Sequence, residues 1–438
     1  MDVKVVFLAL LIACTGTSLQ AQLDEDEWGL TNSYDFGEGW IIKGNNVATE
    51  ITGMFQPQFE WKHYGDKIEF QDVFRSRIRR FRLRFNGQYE PARLFYRVQY
   101  DFGGVPEIDN GELIRISQAY IGTRIGRRAR IIIGQRASPA NNRELFMNSG
   151  TLQLVERSRV TSAFASLAEF GVFFENTWRL SSTNYIRGYT SITTGDGAFP
   201  IKPDFGGFKY SARLDYLPFG LFTRYGQFRQ VDMVRELTPK LIIGAFLSQN
   251  QGVSSRRGRT QGSILYLDSA FNTLLPNYSQ MGIDFMFKYR GFSMIGEWVR
   301  GGASVPDGIL YRVRTDGSIS TDFLVNDLQN MPDYVKSRMM LGNGYNLQAG
   351  FLTKKGISFD GRYSHLVADP FSFLTNGTFY NRPSFYTLGM SKYMTRWYGM
   401  KIQGSVTMNT VAPGANSPGN DLLTKPEWTY RLITSFLF

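Results

Sequence analysis

Phe74-Arg75-Ser76-Arg77-Ile78-Arg79-Arg80-Phe81-Arg82-Leu83-Arg84-Phe85 places six arginines within ten positions. Successive side chains of a strand point to opposite faces, so the stretch reads as two interleaved alternations. Arg80, Arg82 and Arg84 share a face opposite Phe81, Leu83 and Phe85. Before them, Arg75, Arg77 and Arg79 share a face opposite Phe74 and Ile78. The phase changes at Arg79-Arg80, where a β-bulge would move the following residues to the other face.

The same period of two runs outward from this stretch in both directions. Leu94, Tyr96, Val98 and Tyr100 alternate with Arg97, Gln99 and Asp101. Tyr210, Ala212, Leu214 and Tyr216 alternate with Lys209, Ser211, Arg213 and Asp215. Ile283, Phe285, Phe287 and Tyr289 alternate with Asp284, Met286, Lys288 and Arg290, and Met400, Ile402, Val406 and Met408 alternate with Lys401, Gln403, Ser405 and Thr407. The last residues put Trp428, Tyr430, Leu432, Phe436 and Phe438 on one face. A soluble β-sandwich also alternates, with its apolar face inward. Two features favour a membrane barrel: aromatics sit near strand ends, as an interfacial girdle requires, and the alternation persists without a domain break along nearly the whole chain. The expected fold is therefore all-β, a transmembrane antiparallel β-barrel. A tilted spanning strand needs ~9–11 residues plus a turn, which gives roughly sixteen strands. Longer polar segments, Ser138–Ala168, Val231–Asn277, Ala303–Asn343 and Ala412–Lys425, are expected as extracellular loops. An aromatic C-terminus such as Phe438 suits the insertion signal of an outer-membrane barrel.

The N-terminus fits export. Met1–Lys4 is charged, Val5–Ile12 is apolar, and Thr15–Ala21 is small and polar, with a cleavage point at Ala21-Gln22. This is a secretory signal peptide over residues 1–21, with the barrel occupying 22–438. The alternative is a lipoprotein signal ending at Cys14, the single cysteine. After the signal no apolar run approaches the ~18 residues of a membrane helix. An exported chain that loses its one cysteine has no disulfide framework and no thiolate metal site. With two histidines, His63 and His365, the chain offers little for histidine catalysis or zinc, and neither an enzyme nor a cofactor is expected.

Charge narrows the partners. The chain has 49 basic and 38 acidic residues, a net charge of +11, and removing the signal leaves that unchanged. Such an excess suits nucleic acid, an anionic surface or small anions, and export disfavours nucleic acid. Arginine facing lipid at mid-depth costs ~2–4 kcal/mol, so most of the six arginines are expected to face the lumen or lie beyond the membrane. Arg97, Lys209 and Arg213 have the lumen parity of their own strands. Together with Arg75, Arg77, Arg79, Arg80, Arg82 and Arg84 they form the expected anion pathway, because guanidinium forks bind carboxylate and phosphate oxygens. The alternative is a paired scaffold in which Asp101, Asp215, Asp284, Glu297 and Asp360 neutralise the wall. Glu156, Arg157 and Arg159 would form a constriction if their segment folds into the barrel, and solvated loop charges if it does not.

Several segments in this order resemble the phosphate-selective porin O and P family. They are Arg79-Arg80-Phe81-Arg82-Leu83-Arg84-Phe85-Asn86-Gly87, Ser117-Gln118-Ala119-Tyr120-Ile121, Gly134-Gln135-Arg136-Ala137-Ser138-Pro139, Val155-Glu156-Arg157-Ser158 and Phe170-Gly171-Val172. The resemblance is clearest over Phe74–Phe174. It implies a sixteen-stranded barrel in the outer membrane of a Gram-negative bacterium, often a homotrimer, with a basic channel for phosphate or related oxyanions and carboxylates. Arg80, Arg82 and Arg84 match the family's basic strand, and Arg136 stands where members often have lysine. The family's constriction-loop bases have no one-to-one match here. A structural or binding component of a larger outer-membrane complex is the competing function.

Overall fold

The computed structural model describes residues 31–66, 72–103, 115–166, 168–195, 206–253, 256–257, 260–261, 264–313, 317–373, 382–415 and 422–438. The signal peptide expected over 1–21, including Cys14, lies outside them.

A hairpin comes first, β1 (Thr31–Asp35) and β2 (Gly39–Lys43). Sixteen barrel strands follow in meander order. They are β3 (Val47–His63), β4 (Val73–Tyr89), β5 (Leu94–Asp101), β6 (Arg115–Ile125), β7 (Ala129–Arg136) and β8 (Glu169–Arg179). Next come β9 (Tyr185–Thr193), β10 (Lys209–Leu217), β11 (Lys240–Asn250), β12 (Asn277–Tyr289) and β13 (Phe292–Ser304). The circuit finishes with β14 (Gly342–Leu352), β15 (Ile357–Ala368), β16 (Ser384–Tyr393), β17 (Met400–Asn409) and β18 (Glu427–Leu437). Each pairs antiparallel with its neighbours in sequence, and β18 closes on β3 from Trp428↔His63 to Leu437↔Met54. Phe438 N donates to Gly53 O at 3.0 Å. Where β18 ends, β2 takes over the same edge of β3, from Trp40↔Ile51 to Lys43↔Ala48. The hairpin thus covers an edge that would otherwise be an open template for pairing.

The pleat decides between sandwich and membrane barrel. Outward residues such as Leu214, Leu247, Ile283, Leu388 and Met390 are more than half exposed, while inward Gln56, Gln58, Ser211, Gln280, Gln348 and Gln403 are buried. Apolar outside and polar inside is the reverse of a soluble sheet and suits a lipid solvent.

At one end of the barrel, the turn end, all connections but 218–239 are short, as at 290–291 and 353–356. The opposite, loop end carries the long connections. Two segments depart from the expected arrangement. Ser138–Ala168, expected outside, folds into the barrel: its helix α1 (Arg159–Phe164) puts Val160, Ala163 and Phe164 against Phe246, Val299, Leu366 and Phe385 of the wall. The polar stretch Val231–Asn277 contains strand β11. Its alternation is blurred because Ile242 and Phe246 face inward and are buried against these interior segments. Residues 218–239, a connection at the turn end, also enter the barrel. Lys288 Nζ anchors them by donating to the carbonyls of Gly226, Arg229 and Val231 at 2.8–3.0 Å.

Candidate functional site: a basic lumen

The arginine strand β4 and its partner β3 lose register between Gln56 and Pro57. Gln56 pairs with Arg80 and Pro57 with Ile78, so Arg79 is an extra residue with no partner across the ladder. Proline has no N–H for the ladder, and a bulge is where a sheet tolerates that gap. The extra residue reverses the parity once. Arg75, Arg77 and Arg79 therefore face the same cavity as Arg80, Arg82 and Arg84.

That cavity is an open lumen of about 1860 Å³. Among its described lining residues, twenty are lysine or arginine and seven are aspartate or glutamate. The acids are few and shared. Glu156 takes Arg79 Nε at 2.6 Å and Arg80 Nη2 at 3.0 Å. Asp101 takes Arg82 Nε at 2.8 Å, with Arg115 Nη2 at 3.8 Å. Glu60 takes Arg431 Nε at 2.6 Å, with Arg77 Nη2 at 3.9 Å. Glu175, on the inward face of β8, takes Arg130 Nε at 2.7 Å and Arg136 Nη1 at 2.8 Å. Glu427 lies between Lys62 and Arg382. Each carboxylate fixes two cations yet cancels one charge, so each cluster keeps a net positive charge while its side chains are held in place.

The interior segment supplies the carboxylate of the first cluster. Ser158 caps α1 by accepting from Thr161 N at 3.1 Å. Glu144 in turn accepts from Ser158 N at 2.7 Å and from Thr161 Oγ1 at 2.6 Å. This fixes the turn between them and sets Glu156 against β4. Burial opposes ionisation of Glu156, but Arg79 and Arg80 outweigh it and hold the carboxyl well below the usual range. Arg157 is spent on the segment itself, donating to Glu144 O, Met147 O and Ser149 Oγ at 2.6–3.3 Å. Arg159 lines the cavity with its guanidinium 5.1 Å from the Phe385 ring centre. Arg136 lines it too, close to Tyr120 and Phe173.

Two residues expected in the pathway lie elsewhere. Lys209 is buried on Glu169 and Ser166, at 3.0 and 2.8 Å. Arg213 is buried with Arg143, Asp215 and Asp284, where both arginines lie within 2.8 Å of both carboxylates. Their strand parity is inward as read, but the interior segment covers that part of the wall. Arg143 docks the segment there. Of the five acids named as neutralising partners, Asp101 meets Arg82 of the open wall, while Asp215 and Asp284 serve this docking cluster.

Glu60, Arg115, Arg130, Glu175, Arg382 and Arg431 were absent from the expected site. Strand parity held a signal for some of them. Gln56, Gln58, Glu60 and Lys62 alternate with Pro57, Phe59 and Trp61, and Thr429 and Arg431 alternate with Trp428, Tyr430 and Leu432.

The chain matches no family model and no curated protein by sequence. By fold it is similar to an anion-selective porin from Comamonas acidovorans, at 8% identity over 90% of this chain and 100% of that one, with a TM-score of 0.51. It is also similar to OmpF of Salmonella typhi, solved in complex with daunomycin, at 10% identity over 93% and 100% of the two chains, with a TM-score of 0.52. At such identities the likeness is one of fold, that of an outer-membrane porin barrel.

Proposed function

We propose that this barrel is an anion channel of the Gram-negative outer membrane, passing small anions along the arginine wall of β4. The observation that carries the reading is the sharing of carboxylates. Clusters of two cations on one acid leave a fixed positive excess around an open lumen, and such a lining attracts anions and repels cations. A neutral paired scaffold would have matched its acids to its bases one for one, as Arg143, Arg213, Asp215 and Asp284 do elsewhere. Phosphate belongs to the anions proposed, together with other oxyanions and carboxylates, and a homotrimer is the assembly proposed.

The test is the reversal potential across a planar bilayer under a KCl gradient, for wild type and for Arg80→Ser/Arg82→Ser/Arg84→Ser. Wild type is expected to prefer chloride, and the triple variant to lose most of that preference. Cation preference, or absence of channels from folded protein, overturns the reading.

A further inference from the structure

The arginines of the wall differ in what holds them. Arg79, Arg80 and Arg82 are anchored on carboxylates. Arg84 and Arg97 are anchored on neutral amides. Arg84 Nε donates to Gln99 Oε1 at 2.9 Å, and Arg97 Nε donates to Asn86 Oδ1 at 2.6 Å. Both amides are themselves fixed: Gln99 Nε2 donates to Ser117 Oγ at 2.7 Å, and Asn86 Nδ2 donates to Glu50 Oε2 at 3.2 Å. Among the described residues no carboxylate lies within ion-pair distance of either guanidinium. Glu50 is the nearby acid, and it is engaged by Asn86.

The ladder register makes the two arginines neighbours. Arg84 pairs with Gln99 and Asn86 with Arg97, so Arg84 and Arg97 are diagonal residues on the lumen face of β4 and β5. Such diagonal positions lie ~7–8 Å apart, within reach of two long side chains. In both, the Nε side of the guanidinium is used by the wall, while the two Nη atoms donate to no described partner, and both arginines line the open lumen. That free edge is a planar pair of donors, the shape that matches the two coplanar oxygens of a carboxylate. Tyr120 closes one side, with the Arg97 guanidinium 5.7 Å from its ring centre.

We propose that Arg84 and Arg97 form a carboxylate-binding station within the channel, each fork taking one carboxylate, so that a short dicarboxylate is held by both. The proposal rests on the anion-channel reading and specifies a solute class for it. Gln99 and Asn86 are positioning residues: they orient the forks without neutralising them.

The experiment measures chloride current through single channels in planar bilayers while succinate, acetate or inorganic phosphate is added, for wild type, Arg84→Gln, Arg97→Gln, Arg84→Lys and Arg97→Lys. Folding of each is verified first by heat-modifiable gel migration. In wild type, succinate is expected to half-block at a concentration at least tenfold below that of acetate. Each glutamine variant is expected to erase that advantage. The lysine variants, which keep the charge and lose the fork, are expected to lose most of the succinate advantage; they also serve if a glutamine variant fails to fold. Succinate no better than acetate, a block unchanged in the variants, or phosphate blocking more tightly than succinate at the same residues overturns the proposal. Loss of chloride preference in wild type, seen in KCl before any succinate is added, overturns the channel reading instead.

Discussion

Gln230 Nε2 donates a 3.0 Å hydrogen bond to Glu144 Oε1, and this contact ties a segment entering from the turn end of the barrel to one entering from the loop end. Gln230 Oε1 accepts from Gln153 N at 2.8 Å and from Gln348 Nε2 at 3.0 Å, so one side chain joins both segments to strand β14. The lumen is filled on one side by segments reaching in from both ends, and the open space runs along the arginine wall.

Gln230→Ala removes this junction and leaves a buried Glu144 oxygen and a buried backbone N–H short of partners. Hydrogen bonds to charged groups are worth about 1.5–3 kcal/mol each, so the interior segments should loosen without unfolding the strands. Single-channel traces of the variant should show more open-state noise and substates at an unchanged reversal potential. Traces as quiet as wild type would mean that the apolar packing of α1 alone holds the interior.

Glu156→Gln removes the acid shared by Arg79 and Arg80 and adds one net positive charge at the wall. A unit charge at 4 Å is worth about 1 kcal/mol even in bulk water, so chloride preference should rise a few-fold. The pH dependence has a definite sign. The carboxyl is held well below its ordinary value near 4.5, so the ion pair is present at neutral pH and is lost only as pH falls through that depressed value. The difference in reversal potential between variant and wild type should therefore persist down to about pH 4.5. A difference that closes between neutral pH and that point contradicts the ion-pair geometry.

Deleting residues near the bulge tests its role. Removing Arg79 restores simple pairing and leaves Arg75, Arg77, Arg80, Arg82 and Arg84 on the lumen face, so the barrel should fold and remain chloride-selective. Removing Ile78 instead leaves Arg79 in its place on the lipid face, at a cost of about 2–4 kcal/mol at mid-depth. Heat-modifiable migration after refolding into lipid vesicles is the readout. Equal folding of both deletions would show that the direction of Arg79 does not matter to the folding of β4.

Arg213→Met leaves Asp215 and Asp284 sharing Arg143 alone. Breaking a buried ion-pair cluster by removing one partner costs about 3–5 kcal/mol. The variant should lower the unfolding midpoint in urea and destabilise the docked interior segment, yet still prefer chloride, because Arg213 lies away from the open lumen. Loss of selectivity at unchanged stability would return Arg213 to the ion path.

Much of this was legible in the chain. Two out-of-phase runs of arginine meeting at Arg79-Arg80 specify a bulge, since side-chain direction depends on residue count alone. Pro57, which faces that break, carried a second signal in plain sight. The alternation of Tyr210, Leu214 and Tyr216 against Lys209, Ser211 and Arg213 likewise gave the correct faces of β10. Strand β11 was hidden because Ile242 and Phe246 face a dry interior, and apolar residues on both faces have no period of two.

By itself, the sequence determined which face each strand residue takes, because period two and the cost of charge in lipid are local rules. It therefore determined an all-β barrel with an arginine-rich interior. Only the tertiary structure decided which interior charges meet water. That depends on where residues 137–168 and 218–239 come to rest, through contacts such as Arg143 with Asp284 and Gln230 with Glu144, between positions far apart in the chain. Parity gives Arg213 and Arg84 the same inward direction; a segment folded over one and not the other makes the first a buried anchor and leaves the second open to the lumen.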